Sequence, residues 1–282
     1  MEKGIKKTIG CIGSGNMGPA LMKGISKIVN PECIGFSDLH VSKAKAAADS
    51  VGGKVYNSNS QMVEQVDYLF LAVKPQVYKS VLEEIKPAVI DRLSGEKNGG
   101  RPLTIISIVA GWSIAKIRTC LDLSIPVVRI MPNTPALVSR GLIAMSTSPD
   151  FPTERIPELE TILSGAGLVD HLEEVYMDSV TGLSGSGPAF VYIFIEALAD
   201  GGVLAGLPRD KALRYAVQTV LGSAHMVQET GKHPGELKDM VTSPGGTTIA
   251  GISALENGAF RGAVINAIEA AWRRSSELLP KL

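Results

Sequence analysis

Three glycines near the start of the chain are spaced for phosphate chemistry. Gly13, Gly15 and Gly18 form a Gly-x-Gly-x-x-Gly run between a β-type segment, residues 8–12, and a helical pattern with apolar positions at Met17, Leu21, Met22 and Ile25. In such a turn the first glycine permits the tight bend. The second lets a pyrophosphate approach bare backbone, and the third lets helix and strand pack closely, with the helix N-terminus facing the anion. The spacing alone is a weak signal. The strand before it, the helix after it and its place at the start of the chain favour a dinucleotide-binding turn over a merely structural one.

Ligands on open parallel sheets bind outside the carboxyl ends of the strands. Three apolar runs end in segments suited to that position: Ala72-Val73-Lys74-Pro75, Val109-Ala110-Gly111 and Pro132-Asn133-Thr134-Pro135. Lys74 directly follows a buried-type strand, so its ammonium can reach a cofactor or an anionic substrate. Asn133, between two prolines, suits either a fixed polar contact or an ordinary Asn turn. The second strand closes on Phe36-Ser37-Asp38-Leu39-His40. If it ends at Phe36, Ser37 takes the discriminating position and can donate to a 2′-phosphate. If it ends at Ser37, Asp38 takes that position, binds a ribose diol and favours NAD. The expectation is NADPH, with NADH tolerated.

The second half holds a different device. Ser243-Pro244-Gly245-Gly246-Thr247-Thr248 leads into an apolar helical pattern at Ile249. Two glycines and two threonines there present bare N–H groups at a helix N-terminus, a ready carboxylate site with hydroxyls in the same turn. The other reading is an N-cap and nothing more. An absence is also informative. Hydroxyacid dehydrogenases of similar two-part layout carry a Gly-x-Gly-x-x-x-Lys-x-x-x-Asn helix. Here Gly185-x-Gly187 is followed by Val191 and Ile195 at the Lys and Asn positions. An alcohol–ketone reaction needs a group to move the oxygen's proton. A C=N bond needs one less, because solvent can protonate an imine, so the gap points toward imine reduction. The four histidines form no triad and no metal set.

The elements that must position these residues follow from the patterning. Strands are expected at 33–37, 68–73, 104–109, 126–130, 142–146 and 167–172, and helices at 43–51, 77–89 and 114–121, with a polar surface loop at 93–102. Short strands alternating with helices mean βαβ units and a mostly parallel sheet. After Glu173 the pattern is helical, broken by Gly/Ser/Pro joints. The expected fold is therefore α/β: an N-terminal Rossmann-type doubly wound sheet, residues 1–172, followed by an all-α domain, residues 173–282.

Composition agrees. The chain has 282 residues with 28 Lys+Arg against 28 Asp+Glu, and zero net charge argues against nucleic-acid binding and an anionic membrane surface. Thirty glycines and only 5% aromatics fit close helix packing and backbone-lined sites better than a β-sandwich. Cys11, Cys33 and Cys120 are odd in number and far apart, so they suggest no disulfide framework and no zinc site, and Cys11 and Cys33 read as buried thiols. No stretch reaches about 18 uncharged apolar residues, and no signal peptide is apparent, so a cytoplasmic protein is expected.

The motifs together resemble the Δ1-pyrroline-5-carboxylate reductase family nearly end to end. The resemblance is carried by Ile12-Gly13-Ser14-Gly15-Asn16-Met17-Gly18, Leu71-Ala72-Val73-Lys74-Pro75, Met131-Pro132-Asn133-Thr134-Pro135, Thr181-Gly182-Leu183-Ser184-Gly185-Ser186-Gly187-Pro188-Ala189, Ala199-Asp200-Gly201-Gly202, and the run from Leu237 to Ile249. It implies NAD(P)H-dependent reduction of 1-pyrroline-5-carboxylate to L-proline, the last step of proline biosynthesis. It also implies a helical dimerisation domain and an intertwined homodimer, which in the family often assembles into a decamer of five dimers. The substrate would then lie between one subunit's cofactor and helices of both. By position, Thr248 resembles the family's threonine that hydrogen-bonds the ring nitrogen. Gly246 and Thr247 resemble the donors to the substrate carboxylate, with Ser243 and Gly245 in the same turn and Lys74 within the substrate's reach. Gly13, Gly15, Asn16, Met17, Gly18, Ser37, Asn59, Ala72, Val73, Lys74, Pro75, Ala110, Gly111 and Asn133 make up the expected cofactor shell. The sequence departs from the family pattern at the 93–102 loop and at Asp38.

Overall fold

Short runs of Ile, Val, Leu and Phe punctuated by Gly and Pro become the strands of one sheet. The computed structural model describes residues 7–95 and 102–277. Its strands are β1 (Ile9–Ile12), β2 (Ile34–Ser37), β3 (Lys54–Val55), β4 (Tyr68–Leu71), β5 (Thr104–Ser107), β6 (Val127–Pro132), β7 (Gly141–Thr147) and β8 (Gly167–His171). The helices are α1 (Met17–Ile25), α2 (Val41–Val51), α3 (Asn59–Gln65), α4 (Pro75–Leu93), α5 (Ile114–Leu121), α6 (Ile156–Ser164), α7 (Met177–Val180), α8 (Gly187–Leu204), α9 (Arg209–Thr230), α10 (Pro234–Met240), α11 (Thr247–Asn257) and α12 (Phe260–Glu277).

The sheet order is β3-β2-β1-β4-β5-β6-β7-β8. Ile12 at the end of β1 pairs with Ser37 on one side and Leu71 on the other. The chain thus turns from one direction of the sheet to the other around β1, the switch point where an α/β sheet opens a ligand crevice at its strand ends. All pairings are parallel except β6 with β7. Both faces of the central strands are buried. Ile9, Cys11, Phe36, Tyr68 and Phe70 pack with α1, α2 and α6 on one face. Ile12, Leu69, Leu71 and Ile105 pack with α4 and α5 on the other. That alternation follows from the two-residue period of a strand, and each fully buried side chain contributes about 1.5–3 kcal/mol.

The strand and helix positions agree with the sequence expectations, with differences at the ends. β4 stops at Leu71 and β5 at Ser107, because the following residues turn across the sheet edge; Gly111 bends at φ +78°. β6 runs on to Pro132, which pairs with Ile143 of β7. β5 has already ended there, pairing no further than Arg129, so the missing proline N–H leaves no neighbour unpaired. Cys33 lies in a 3₁₀ turn opened by Pro31 rather than in β2, and it is only half-buried. α4 spans Pro75 to Leu93 and carries Pro87 within it. Residues 96–101, the core of the expected polar loop, lie outside the described residues. β3, α3 and α6 are additions to the sequence reading.

After His171 the chain is helical to Glu277 among the described residues. Residues 7–185 together with 271–277 make one compact unit, and Ser186–Ala270 makes a second. In the second unit α8 and α9 fully bury Ala199, Ala212 and Ala216 against each other, with Ile195 and Val203 half-buried beside them. Tyr192, Ile193, Leu204, Leu213 and Leu221 remain exposed, a large apolar surface of the kind that marks an association face. Among the described residues, one helical stretch, Glu174–Leu204, is long and apolar enough to cross a membrane by length and composition alone, though Glu196 lies inside it.

Candidate active site

The three glycines of the turn do three different things. Gly13 adopts φ +101°, and a Cβ there would lie 2.6 Å from the Ala72 carbonyl oxygen. Its N–H donates to the Ser37 carbonyl at 2.8 Å, closing the turn onto the end of β2. A Cβ on Gly18 would lie 2.6 Å from the Gly13 oxygen and 2.9 Å from Cys11 Sγ, so this glycine sets how closely α1 approaches β1. Around Gly15 nothing stands within 4 Å of a Cβ. Its bareness therefore serves no packing within the chain and leaves room for a ligand. α1 opens after Asn16 with no side-chain cap and no acid in its first turn, and Ser14 Oγ is buried without a partner among the described residues. An uncapped helix start, a partnerless hydroxyl and an open glycine are what a pyrophosphate requires. Burial, and then the Asp38 charge, push the Cys11 thiol up to about 12, so it stays protonated beneath the turn.

β2 ends at Ser37 and Asp38 directly follows it. The Asp38 carboxylate accepts from Ser14 N at 2.7 Å and from His40 N at 2.9 Å, joining the glycine turn to the start of α2. Ser37 Oγ donates to Asn59 Oδ1 at 2.7 Å, and Asn59 Nδ2 donates to both Glu84 oxygens at 3.0 and 3.1 Å. Glu84 has no signal in the sequence; only the packing of α3 against α4 brings it here.

Gly13, Ser37, Asp38 and Ala72 thus gather at the carboxyl end of β1. The Ala72 N–H extends the ladder to the Ile12 carbonyl at 2.8 Å, Val73 is half-buried, and Lys74 is exposed just before Pro75 opens α4. Ala110 and Gly111 follow β5 at the same end of the sheet. Asn133 is bound at both ends of its amide: Oδ1 accepts from Leu142 N at 2.9 Å and Nδ2 donates to Ser184 Oγ at 3.0 Å. Both bonds are long-range and Asn133 makes no local cap bond, so its side chain is a fixed polar contact that ties the end of β6 to β7 and to the π-helical turn Thr181–Gly185 rather than an Asn turn. Sequence reasoning also missed Arg129, buried in β6, whose guanidinium meets Glu174 at 3.2 Å and Asp178 at 3.7 Å.

In the helical unit, Gly245 turns at φ +69° and the Gly246 N–H donates to the Ser243 carbonyl at 3.1 Å. Gly246 caps α11 in an extended conformation without a side-chain hydrogen bond, and the first turn carries no acid. A Cβ on Gly246 would collide with the Ser243 hydroxyl. Ser243 and Thr247 are exposed and Thr248 is half-buried. The result is an 11-residue helix whose N-terminal donors are left for an anion, ringed by hydroxyls. Among the described residues no group of acids, histidines and cysteines could hold a metal.

A doubly wound sheet with an open glycine turn at its switch point, joined to a helical association unit, defines a dinucleotide-dependent oxidoreductase. Residues 8–95 match the family model for NADP oxidoreductase, coenzyme F420-dependent, and residues 174–278 match that for pyrroline-5-carboxylate reductase dimerisation. The chain is 46% identical to a pyrroline-5-carboxylate reductase of Methanosarcina acetivorans over 96% of its own length and 97% of that protein's. It is 38% identical to one of Escherichia coli, over 97% and 99%. Among solved structures, a pyrroline carboxylate reductase of Plasmodium falciparum with NADP bound superposes with a TM-score of 0.83 at 31% identity, covering 98% of this chain and 99% of that one. A pyrroline-5-carboxylate reductase of Coxiella burnetii does so with a TM-score of 0.87 at 33% identity, covering 98% and 100%. The chain belongs to the pyrroline-5-carboxylate reductase family.

Proposed function

We propose that this protein reduces the C=N bond of 1-pyrroline-5-carboxylate to give L-proline, using NADPH and accepting NADH. The observation that carries the reading is the uncapped start of α11, where the N–H groups of Thr247 and Thr248 suit one carboxylate with the Thr248 hydroxyl beside it, the Gly246 N–H being taken by the Ser243 carbonyl. The nicotinamide, when bound, supplies the hydride. Gly13, Gly15, Asn16, Met17 and Gly18 cradle the pyrophosphate on the start of α1. Ala72, Val73, Lys74, Pro75, Ala110 and Gly111 line the strand ends beside the cofactor, and Ser37 and Asn59 lie toward its adenosine end.

The Thr247 backbone at the start of α11 holds the substrate carboxylate, with Ser243, Gly245 and Gly246 shaping the turn. The Thr248 hydroxyl orients the ring nitrogen, which gains its proton from solvent or through Thr248. Holding two reactants in register is the main contribution such a site makes. The protein works as a cytoplasmic homodimer built on the apolar faces of α8 and α9, and five dimers assemble into a decamer.

The test is initial-rate cofactor oxidation with 1-pyrroline-5-carboxylate, run in parallel with NADPH and NADH. Turnover supports the reading. Folded protein that binds either cofactor yet turns over neither would overturn it and send the search to other cyclic imines and keto acids.

A further inference from the structure

Resting on that reading, we infer that Asp38 sets the cofactor choice of this chain, holding NADPH and NADH within about tenfold of each other by occupying the anion position a 2′-phosphate needs. Three observations carry this. Asp38 directly follows β2, where a dinucleotide's adenosine ribose is read. Its carboxylate already accepts from His40 N at 2.9 Å, just ahead of α2, and α2 has no side-chain cap and no acid in its first turn. The charge of Asp38 thereby answers the positive end of α2 that would otherwise attract a phosphate. The hydroxyl next to it is also committed, since Ser37 Oγ donates to Asn59 at 2.7 Å and Asn59 in turn is bound to a second carboxylate, Glu84.

A carboxylate oxygen has two lone pairs. Each Asp38 oxygen accepts one backbone N–H, so each can still accept a ribose hydroxyl. The diol of NADH gains a partner there, and the doubly charged phosphate of NADPH meets a like charge. At about 6 Å in a solvated site that repulsion corresponds to about a tenfold loss in affinity. What NADPH keeps comes from the exposed cations that follow, such as Lys43, and from the pyrophosphate contacts common to both cofactors.

The test is fluorescence titration of each cofactor with wild type and with Asp38→Asn, which keeps an acceptor for Ser14 and removes the charge. The expected result is an NADPH Kd about tenfold tighter in the variant and an NADH Kd unchanged or weaker. Equal shifts for both cofactors would overturn the inference, as would a wild type whose Kd values for NADPH and NADH differ by clearly more than about tenfold. A second measurement needs no variant: competition by 2′,5′-ADP and by ADP on wild type should differ by no more than about tenfold. A larger preference for 2′,5′-ADP also overturns it. If the cofactors bind as expected but 1-pyrroline-5-carboxylate is not reduced, the proposed function fails while this assignment stands.

Discussion

Alanine at Gly15 and alanine at Gly18 should produce opposite phenotypes, although both add one methyl to the same turn. At Gly15 the added Cβ has nothing within 4 Å and the residue is not in the left-handed region. A compatible Gly→Ala change reduces the freedom of the unfolded chain, so the apoprotein should be unchanged or more stable by about 0.4–1 kcal/mol. The same methyl projects into the space reserved for the pyrophosphate. Overpacking of that kind costs about 1–3 kcal/mol, or about 5- to 150-fold in cofactor Kd. At Gly18 the methyl lies 2.6 Å from the Gly13 carbonyl oxygen, 2.9 Å from Cys11 Sγ and 3.1 Å from Ala72 Cβ. Backbone on one side and a buried strand on the other cannot yield cheaply, so stability should fall by about 1–3 kcal/mol. Urea unfolding of the apoprotein and fluorescence titration with NADPH, run on both variants, separate the two effects. A Gly15→Ala protein that binds NADPH like wild type would refute the assignment of this opening to the cofactor.

Thr248→Ala should lower kcat/KM for 1-pyrroline-5-carboxylate by about 5- to 150-fold, the worth of one transition-state hydrogen bond of about 1–3 kcal/mol; full activity in steady-state assays would remove Thr248 from the mechanism. Arg129→Met leaves the half-buried Glu174 and Asp178 without their shared cation, and should cost about 1.5–3 kcal/mol in denaturant unfolding, the worth of hydrogen bonds to charged groups. A loss below about 1 kcal/mol would show the ion pairs to be incidental. The Cys11 thiol, pushed up to about 12 chiefly by burial, is only about one part in ten thousand thiolate at pH 8. Its reactive form is favoured only as pH rises, so iodoacetamide at pH 8 should modify the half-buried Cys33 and Cys120 in native protein and reach Cys11 only after unfolding, as read by peptide mass spectrometry.

The nucleotide half was legible because its signals are local. A glycine spacing, an apolar run and a proline each act within a few residues, and Gly13, Gly15 and Gly18 stand in the three distinct environments their spacing implied. The short edge strand β3 was not legible because both its residues are exposed, leaving no apolar pattern to read. Contacts made across the fold were equally hidden. Nothing near Asn59 announces Glu84, 25 positions on, and nothing near Asn133 announces Ser184, 51 positions on. The strand ending of β2 shows the limit most clearly. Moving it by one residue exchanges Ser37 for Asp38 in the sequence reading, and only the three-dimensional register shows that Ser37 is still paired, opposite Ile12 of β1.

Asp178 has a consequence for the way the chain is strung. It precedes the exit into the helical unit, and its carboxylate accepts from Ser275 at 3.0 Å and Ser276 at 3.4 Å, just after the chain returns along α12. The departing and returning segments are therefore knotted together at a common doorway, and Ser186–Ala270 is an insertion fastened at both ends. A single protease cut at a joint such as Gly206 or Gly231 would leave both fragments anchored in the same body. The same joints are natural places for new termini in a circular permutant, whereas a truncation that removed Ser275 would untie the doorway itself.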